Sequence, residues 1–432
     1  MRLATCLIPM LVLLWTSTIS AADRQPNIIV VLSDDAGYHD FSIHGSDTPT
    51  PRIDSIAQRG ARFTDGYVSG CVCSPTRAGL LTGRYQQRFG HEFNIPPVYS
   101  DTNGLPLDEI LLPSVLQAAG YRTIALGKWH LGYAPHFHPL ARGFTDYYGF
   151  LQGARSYWPL EKPTKLNQLL RDRDPVFPEP FEYMTDHLAD EAVKYLADAK
   201  DQPFLMYVAF NATHGPQHAT HEDLERVNGR AIPAMTVALD RAVGKLLDAL
   251  DEHKLAENTL LFFLNDNGGT PRHDNEPLRG HKGTCWEGGI RVPFLVQWPA
   301  QIRPGQTIDA PVISLDIFPT ALAAAGIKHE ANKPVDGVNL LPLLTSSTPD
   351  HPQRTLYWKS GPKWAVRHGN LKLCAGDPKH AEKPLLFDLA QDMSETTDLS
   401  EQRPADVKRL LDLYHAWAST HVETPWARGR DR

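Results

Sequence analysis

A nucleophilic side chain and a cation lie close together in the run Cys-Ser-Pro-Thr-Arg, which starts at Cys73 and ends at Arg77. Pro75 suits the first turn of a helix, because its φ is already helical and it lacks an N–H that would be unpaired there. Gly83 predicts the end of the same helix. The free N–H groups at a helix start attract anions, and Arg77 adds a positive charge one turn in. The run therefore predicts a binding site for an anion with several oxygens, although a cysteine before a helix is also a common buried apolar group.

Four polar clusters each follow a run of apolar residues that predicts a buried strand. Turns are also rich in Asp and Asn, so one cluster alone indicates little. Because ligands bind at the carboxyl ends of parallel strands, four clusters at such ends predict a shared site. In chain order the clusters are Asp34 with Asp35, Lys128 with His130, His214, and Asp266 with Asn267.

Four of these residues, Asp34, Asp35, Asp266 and Asn267, offer only oxygen ligands. Such ligands suit a hard divalent cation better than zinc. Three carboxylates so close together would repel one another without a cation between them. We therefore predict one bound cation, Ca²⁺ with Mg²⁺ as the alternative, which would polarise an oxygen of the substrate.

The remaining candidates supply positive charge and protons. Lys282 lies in a glycine-rich stretch, residues 279–293, which predicts a loop pressed close to another part of the chain. A lysine is more often a solvated surface group, so each of these assignments has a plain alternative. Four further histidines lie in similar loops and stay open as substrate contacts: His136, His138, His218 and His273.

The elements that must position these residues alternate between strand and helix, which predicts an α/β fold with a doubly wound, mainly parallel sheet. Residues 133–183 lack periodicity and are predicted as long loops over the rim of a pocket. Residues 329–352 are predicted as a linker before a small α+β subdomain. The predicted strands are 27–32, 63–68, 123–126, 204–210, 259–264 and 292–298, and the predicted helices are 51–58 (with Thr50 as N-cap), 114–119, 186–199, 234–253, 315–325 and 405–419.

Length and composition indicate a large globular enzyme of 432 residues with 42% hydrophobic and 22% charged residues. The formal charge of −7 argues against nucleic acid as a partner. Residues 1–22 have the features of a signal peptide, and their apolar run is shorter than a membrane span. We therefore expect an exported protein, periplasmic or secreted and not inserted in a membrane, with a catalytic domain at 23–345 and a C-terminal subdomain at 346–432.

Five cysteines are present, and Cys6 would leave with the leader. The other four, Cys71, Cys73, Cys285 and Cys374, could form two disulfides in an exported chain. Cys71 and Cys73 are, however, too close in sequence to look like a disulfide framework, and no second ligand pair completes a zinc site.

The longer run from Cys73 to Arg84, Cys-Ser-Pro-Thr-Arg-Ala-Gly-Leu-Leu-Thr-Gly-Arg, closely resembles the signature of the type I sulfatases. Further blocks resemble that family in the same order, and the resemblance covers most of the mature chain. It implies the fold of the alkaline-phosphatase superfamily. These blocks are Ser-Asp-Asp at 33–35, Gly-Lys-Trp-His-Leu-Gly at 127–132, Asn-Ala-Thr-His-Gly-Pro at 211–216, Asn-Asp-Asn-Gly-Gly at 265–269 and Lys-Gly-Thr-Cys-Trp-Glu-Gly-Gly-Ile-Arg-Val-Pro at 282–293.

In that family the cysteine of the signature is oxidised to formylglycine, an aldehyde, so the resemblance implies that a formylglycine-generating or sulfatase-maturating enzyme converts Cys73. One hydroxyl of the hydrated aldehyde would attack sulfur and release the alcohol, and the second would then expel sulfate. The implied metal ligands are Asp34, Asp35, the converted Cys73, Asp266 and Asn267.

The resemblance also implies roles for the other site residues. Asp266 would act as the base on the attacking hydroxyl, His214 or Lys282 would protonate the leaving oxygen, and His130 would assist the release of sulfate. Arg77, Lys128 and Lys282 would stabilise negative charge on the sulfuryl oxygens.

The substrate is defined less well. Residues 84–94 resemble exported bacterial sulfatases that act on carbohydrate sulfates, such as those related to N-acetylgalactosamine-6-sulfatase. An aromatic rim with His136, Tyr157 and Trp158 would suit a sugar. The alternatives are a phosphate or phosphonate monoesterase of the same superfamily, with formylglycine or Ser as nucleophile, and a Ca²⁺-stabilised binding protein with an unconverted Cys73.

Overall fold

The computed structural model describes residues 25–328, 333–346, 353–376 and 383–426. The leader predicted at residues 1–22 lies outside the described residues, as do parts of the linker predicted at 329–352. Among the described residues, no helix combines the length and the apolar character that crossing a bilayer requires.

A ten-stranded sheet runs through the larger part of the protein. A further pair of short strands, β3 and β12, lies beside it. The strands are β1 (Asn27–Ser33), β2 (Ala61–Phe63), β3 (Gly66–Tyr67), β4 (Arg122–Lys128), β5 (Asp146–Phe150), β6 (Leu170–Arg171), β7 (Asp174–Pro175), β8 (Phe204–Ala209), β9 (Thr259–Asn265), β10 (Phe294–Gln297), β11 (Gln306–Ile308) and β12 (Val312–Ile313).

The spatial order of the large sheet is β11-β2-β10-β9-β1-β8-β4-β5-β6-β7. Its five central strands, from β9 to β5, are parallel to one another. β1 is an unbroken run of buried residues, as expected for a strand covered on both faces. The central strands therefore end at one common edge, which is the edge where the polar clusters follow.

Helices cover both faces of this sheet, as the sequence predicts. Alternate β1 residues enter two separate cores: Ile28 and Val30 pack in one, and Ile29 and Val31 in the other. The helices are α1 (Pro51–Gln58), α2 (Cys73–Thr82), α3 (Leu112–Ala118), α4 (Met184–Ala199), α5 (His221–Arg226), α6 (Ala231–Glu252), α7 (Glu287–Ile290), α8 (Ile317–Ala324), α9 (Leu341–Thr345) and α10 (Pro404–Ala418).

Two predictions about the sheet are wrong in detail, and a third is confirmed with a direction that the sequence did not give. The strand predicted at 63–68 is two strands, because β2 pairs with β10 and β3 pairs with β12. The strand predicted at 292–298 is confirmed as β10, which runs antiparallel to its neighbours. The predicted loops at 133–183 contain β5 and the short hairpin of β6 and β7, which extend one edge of the sheet. In each case pairing with a distant strand, rather than a local pattern, decides the structure.

The start of α1 is also capped differently from the prediction. Thr50 occupies the N-cap position, but its side chain makes no capping hydrogen bond. Instead, Asp240 of α6 accepts the N–H groups of Arg52 and Ile53 at 2.9 and 2.8 Å. A carboxylate from a neighbouring helix thus supplies the acceptor that the helix start requires.

The C-terminal subdomain is a four-stranded antiparallel sheet with α10 packed against it, which confirms the predicted α+β subdomain. Its core continues into the larger part, since Trp358 packs beside Tyr67 and donates its indole N–H to the carbonyl of Val68 at 2.6 Å. Its strands are β13 (Thr355–Ser360), β14 (Lys363–His368), β15 (Leu371–Ala375) and β16 (Leu385–Asp388).

Candidate active site

Cys73 is the first residue of α2, and Gly83 ends that helix in the left-handed conformation at φ 66°. All ten residues of α2 are buried. The Cys73 Sγ lies 3.5 Å from Asp34 Oδ1 and 4.0 Å from Asp35 Oδ1, and it accepts a hydrogen bond from Lys282 Nζ at 3.2 Å. The helix start therefore delivers the side chain of Cys73 to the acidic end of β1.

The register of the sheet brings the first and last polar clusters together. Ser33 of β1 pairs with Asn265 of β9, so Asp34 and Asp266 follow neighbouring strand ends. Asp266 donates its backbone N–H to the carbonyl of Ser33 at 3.0 Å, and Asp34 donates its own to the carbonyl of Ala212 at 2.8 Å. Both carboxylates are fully buried.

Each of the three carboxylates is paired with a cation. Lys128 Nζ donates to Asp34 Oδ2 at 2.6 Å, and Lys282 Nζ donates to Asp35 Oδ1 at 2.5 Å. The guanidinium of Arg77 donates twice to Asp266 Oδ2, from Nε at 3.0 Å and from Nη2 at 2.7 Å. Repulsion among the carboxylates is therefore relieved by three basic side chains, so the repulsion argument made from the sequence does not by itself require a metal ion.

The donor atoms nevertheless fit a hard divalent cation. Ligand atoms of Asp34, Asp35, Cys73 and His214 all lie within 4.8 Å of one another. Asn267 Nδ2 donates to Asp35 Oδ1 at 2.8 Å, whereas its buried Oδ1 accepts no hydrogen bond from any described residue. A buried amide oxygen without a donor is costly unless a cation or water meets it. The set is mainly carboxylate and amide oxygen, as Ca²⁺ and Mg²⁺ prefer.

Burial and charge shift the pKa values in this cluster. Burial alone would raise the pKa of Asp34, but Lys128 and His214 hold it well below its usual range. Burial and then the charge of Asp34 raise the pKa of Asp266. Burial and then Asp266 raise the pKa of the Cys73 thiol to about 12. Because the thiolate is the reactive form, an unconverted Cys73 would be a poor nucleophile at neutral pH.

His214 and Lys282 are the more accessible members of the site, with side chains 23% and 16% exposed. His214 Nδ1 donates to the carbonyl of Gly215 at 2.7 Å, which leaves Nε2 facing Asp35 Oδ2 at 3.5 Å. The hydroxyl of Tyr157 donates to the carbonyl of His214 at 2.8 Å. These contacts fix the His214 ring at the open side of the cluster.

The loop of Lys282 is pressed close to its surroundings, as its glycines predict. Lys282 donates its backbone N–H to Gly269 at 2.8 Å, and Gly283 donates to the carbonyl of Cys71 at 2.7 Å. A Cβ on Gly288 would lie 2.5 Å from the carbonyl oxygen of Gly280. The loop is thereby tied to the strand end after β9 and to the segment that precedes α2.

His130 lies deeper than His214. Burial and then Lys128 lower the pKa of His130 well below its usual range. Its buried Nδ1 has no hydrogen-bond partner among the described residues. The Ser74 hydroxyl donates to the carbonyl of His130 at 2.7 Å. His91 Nε2 lies 2.6 Å from Ser74 Oγ and must donate to it, because the hydroxyl hydrogen is already used. Ser74, His91 and Tyr157 support the site, and the sequence analysis assigned them no such role.

The four further histidines that the sequence left open as substrate contacts lie outside the cluster of Asp34, Asp35 and Asp266. His273 is buried between Thr213 and Thr270, at 3.0 and 2.8 Å from their hydroxyls. His136 contacts the carbonyl of Asp101 at 2.9 Å, and His218 stacks on Trp158. His138 lines a separate cleft. The four cysteines of the described part, Cys71, Cys73, Cys285 and Cys374, are all free and buried.

Residues 26–327 match the family model described as "Sulfatase". The chain belongs to the sulfatase family. This sulfatase also matches, over residues 281–413, the model described as "N-sulphoglucosamine sulphohydrolase, C-terminal". The resemblance to type I sulfatases and the expected alkaline-phosphatase-type fold are thereby confirmed, and the chain is a sulfatase enzyme.

Relatives cover nearly the whole chain. Human N-acetylgalactosamine-6-sulfatase is 31% identical over 88% of this chain and 83% of its own length, and human arylsulfatase A is 34% identical over 88% and 84%. The crystal structure of Ps i-CgsB in complex with k-i-k-neocarrahexaose is 34% identical, with a TM-score of 0.89 over 94% of this chain and 96% of that chain. The sulfatase PsFucS1 from Pseudoalteromonas sp. is 26% identical, with a TM-score of 0.82 over 92% and 90%.

Proposed function

We propose that this sulfatase hydrolyses sulfate monoesters on a carbohydrate, releases inorganic sulfate, and uses formylglycine at position 73. The observation that carries the proposal is the position of Cys73, buried at the start of α2 and within 4.0 Å of Asp34, Asp35 and Lys282. A sulfated carbohydrate is supported by the relative whose structure contains k-i-k-neocarrahexaose.

Asp34, Asp35, Asp266 and Asn267, together with the converted side chain at position 73, would hold the divalent cation. The unpartnered Oδ1 of Asn267 supports this assignment. The cation would polarise an oxygen of the substrate, and formylglycine would provide an oxygen nucleophile that a thiol does not. Ca²⁺ is our preferred ion for this set of ligands, with Mg²⁺ as the alternative.

The basic side chains would bind the sulfuryl oxygens. Lys128, Lys282 and Arg77 already converge on the carboxylates beside Cys73, and each would stabilise negative charge that grows on these oxygens during transfer. Such stabilisation is strongest in a buried site, because water does not screen it.

Proton transfer would involve His214, Asp266 and His130. His214 Nε2 lies at the open side, where it would give a proton to the leaving alcohol oxygen, with Lys282 as the alternative acid. Asp266 would take the proton of the attacking hydroxyl, as the resemblance to the family implies. His130, whose pKa burial lowers, would assist the release of sulfate by accepting a proton on its free ring nitrogen.

Two measurements test this proposal. Tandem mass spectrometry of the peptide with position 73 should find an aldehyde in place of the thiol, and the protein should release sulfate from a nitrophenyl sulfate. Cys73→Ala should abolish turnover, whereas Cys374→Ala, which removes a buried thiol elsewhere, should keep it. Full activity with an intact thiol at position 73 would refute the role of formylglycine. Faster phosphate than sulfate release would favour the phosphatase alternative.

We further propose that the protein is exported after cleavage of residues 1–22, and that a formylglycine-generating or sulfatase-maturating enzyme acts on position 73. Residues 23–345 would form the catalytic domain and residues 346–432 the C-terminal subdomain. Sequencing of the mature N-terminus tests the first point, since a chain that retains residues 1–22 would contradict it. Expression with and without a maturating enzyme tests the second, with the fraction of aldehyde at position 73 as the readout.

A further inference from the structure

A large cleft, of about 1160 Å³, lies beside the candidate active site. Its wall includes Tyr133, three residues after His130, and Leu151, whose carbonyl accepts the N–H of His130 at 3.1 Å. The ring of His130 also packs against Gly153, which follows the cleft residue Gln152. The cleft therefore begins next to the reacting centre, and most of its wall comes from the segment 133–175.

The charge of this cleft is positive. Its lining includes Lys165 and Arg173 and contains no carboxylate. Within the described ranges, neither Lys165 nor Arg173 forms an ion pair, in a chain whose formal charge is −7. Arg173 Nη1 donates to the carbonyl of Pro135 at 3.5 Å, which leaves its charge unneutralised. Two unpaired cations on one wall of a cleft attract an anion and repel a second cation.

A smaller cleft of about 690 Å³ has the opposite charge. Its lining includes one basic residue, Arg241, which already pairs with Asp186. A polyanionic chain would be repelled there. The carboxylates of this cleft are Glu182, Asp186, Asp190 and Glu222.

One buried polar atom in the wall of the larger cleft has no partner among the described residues. The Tyr133 hydroxyl forms no hydrogen bond with any of them, and Tyr133 is only 5% exposed. His138 Nδ1 accepts the N–H of Leu140 at 3.3 Å, so the neutral ring carries its proton on Nε2, which faces the backbone of Asp172. Burial, and then the charge of Arg173, lower the pKa of His138 to about 4, which keeps the ring neutral at pH 7.

These features fit a binding site for a polar, negatively charged ligand. Unpaired buried donors are rare in proteins unless water or a ligand meets them. Tyr133 offers a hydrogen bond, and Lys165 and Arg173 offer charge. The same wall includes amide and hydroxyl groups that could form hydrogen bonds with a sugar, on Gln152, Thr164, Asn167 and Gln168.

We propose that this cleft is a subsite for a second anionic group on the glycan whose sulfate is hydrolysed, with Lys165 and Arg173 binding that group and Tyr133 contacting the sugar that carries it. The inference rests on the proposed function, because it assumes a carbohydrate substrate. Sulfate and uronic-acid carboxylate share the chemistry that these cations recognise. The enzyme would then favour multiply charged chains over simple sulfate esters.

Calorimetry at about 150 mM salt tests this with three oligosaccharides of equal length: dextran sulfate, oligogalacturonate and unmodified dextran. The double variant Lys165→Gln, Arg173→Gln should weaken binding of the charged chain about a hundredfold, since each of the two lost charge-assisted contacts costs about tenfold. The control Lys408→Gln, Arg409→Gln removes two cations from exposed pairs on α10 and should not change binding.

The three probes separate the sources of the anion. Tight binding of dextran sulfate alone assigns a sulfate, and equal binding of oligogalacturonate assigns an anion of either kind. Tyr133→Phe removes only the unpartnered hydroxyl and should weaken binding a few-fold without loss of stability. Equal affinity of the wild type and the double variant, or equal binding of unmodified dextran, would overturn the proposal. Release of sulfate from a nitrophenyl sulfate is measured separately, so a failed subsite is distinguished from a failed proposed function.

Discussion

Lys372 offers a sharp test of how the C-terminal subdomain supports the Lys282 loop. Its Nζ lies 2.8 Å from Glu287 Oε1 and 2.8 Å from Glu395 Oε1, and all three side chains are fully buried. Glu395 also accepts the backbone N–H of Glu287 at 2.7 Å. The cluster thus joins β15 to the helix α7 that follows the Lys282 loop. The change Lys372→Met keeps the apolar stem of the side chain and removes its charge.

We expect this change to lower the free energy of unfolding by about 3–5 kcal/mol, because two buried carboxyls lose their shared cation. Such a loss is a large part of the total stability of a protein, which is about 5–15 kcal/mol. The matched control is Lys408→Met, which breaks a pair with Asp412 at 2.7 Å whose side chains are 78% and 63% exposed. That pair should contribute less than about 1 kcal/mol.

The loss should also depend on pH. Burial alone would raise the pKa of both carboxyls, but Lys372 and Arg291 hold the pKa of Glu287 at about 2, whereas burial prevails at Glu395 and raises its pKa to about 7. Without Lys372 both pKa values should rise. When the pKa of a carboxyl is raised in the folded state, the free energy of unfolding of the protein falls as the pH rises through that pKa. The deficit of Lys372→Met should therefore be smaller at pH 5 than at pH 8.

Urea unfolding of the wild type and both variants at pH 5 and pH 8 measures these effects. Release of sulfate from a nitrophenyl sulfate, measured below the unfolding range, shows whether Lys282 is still held in place. A deficit of Lys372→Met below about 1 kcal/mol at both pH values, equal to that of Lys408→Met, would refute the reasoning.

Three further outcomes are expected. Asp240→Asn keeps an acceptor for the start of α1 but removes a carboxyl whose pKa burial raises from 3.8 to about 7. Between pH 4 and pH 8 the free energy of unfolding of the wild type should therefore fall by up to about 4 kcal/mol relative to that of the variant. Urea unfolding measures this difference, and pH profiles that run parallel for the two proteins would contradict the expectation. His214→Ala should lower kcat/KM for a sugar sulfate by about 10²–10⁴-fold, but much less for a nitrophenyl sulfate, whose leaving group needs little protonation. The control is His221→Ala, which changes an exposed histidine. Equal losses of kcat/KM on both substrates would assign His214 to sulfate binding. Elemental analysis should find about one equivalent of Ca²⁺ or Mg²⁺, reduced in Asp35→Asn, whereas stoichiometric zinc would favour a phosphatase.

Much of the fold was predictable because its main strands and helices have strong local patterns. The β-branched run of β1 is buried in any parallel sheet, and the proline and glycine around α2 mark its two ends wherever that helix lies. Short elements were not predictable. β5, with the sequence Asp-Tyr-Tyr-Gly-Phe, is a strand because it pairs with β4, and β10 is antiparallel because of its two neighbours.

The sequence by itself determined which groups we assign to the candidate site. The residue types after each strand indicated a cation and an anion with several oxygens, because that chemistry depends on functional groups present in the chain, and the resemblance of the Cys73 signature implied that the anion is a sulfuryl group. Only the tertiary structure decided their partners. Arg77 binds Asp266 and Lys128 binds Asp34 because the sheet register brings distant strand ends together. The basic cleft formed by the segment 133–175 has no local signal either, since its charge depends on which side chains several loops bring to one wall.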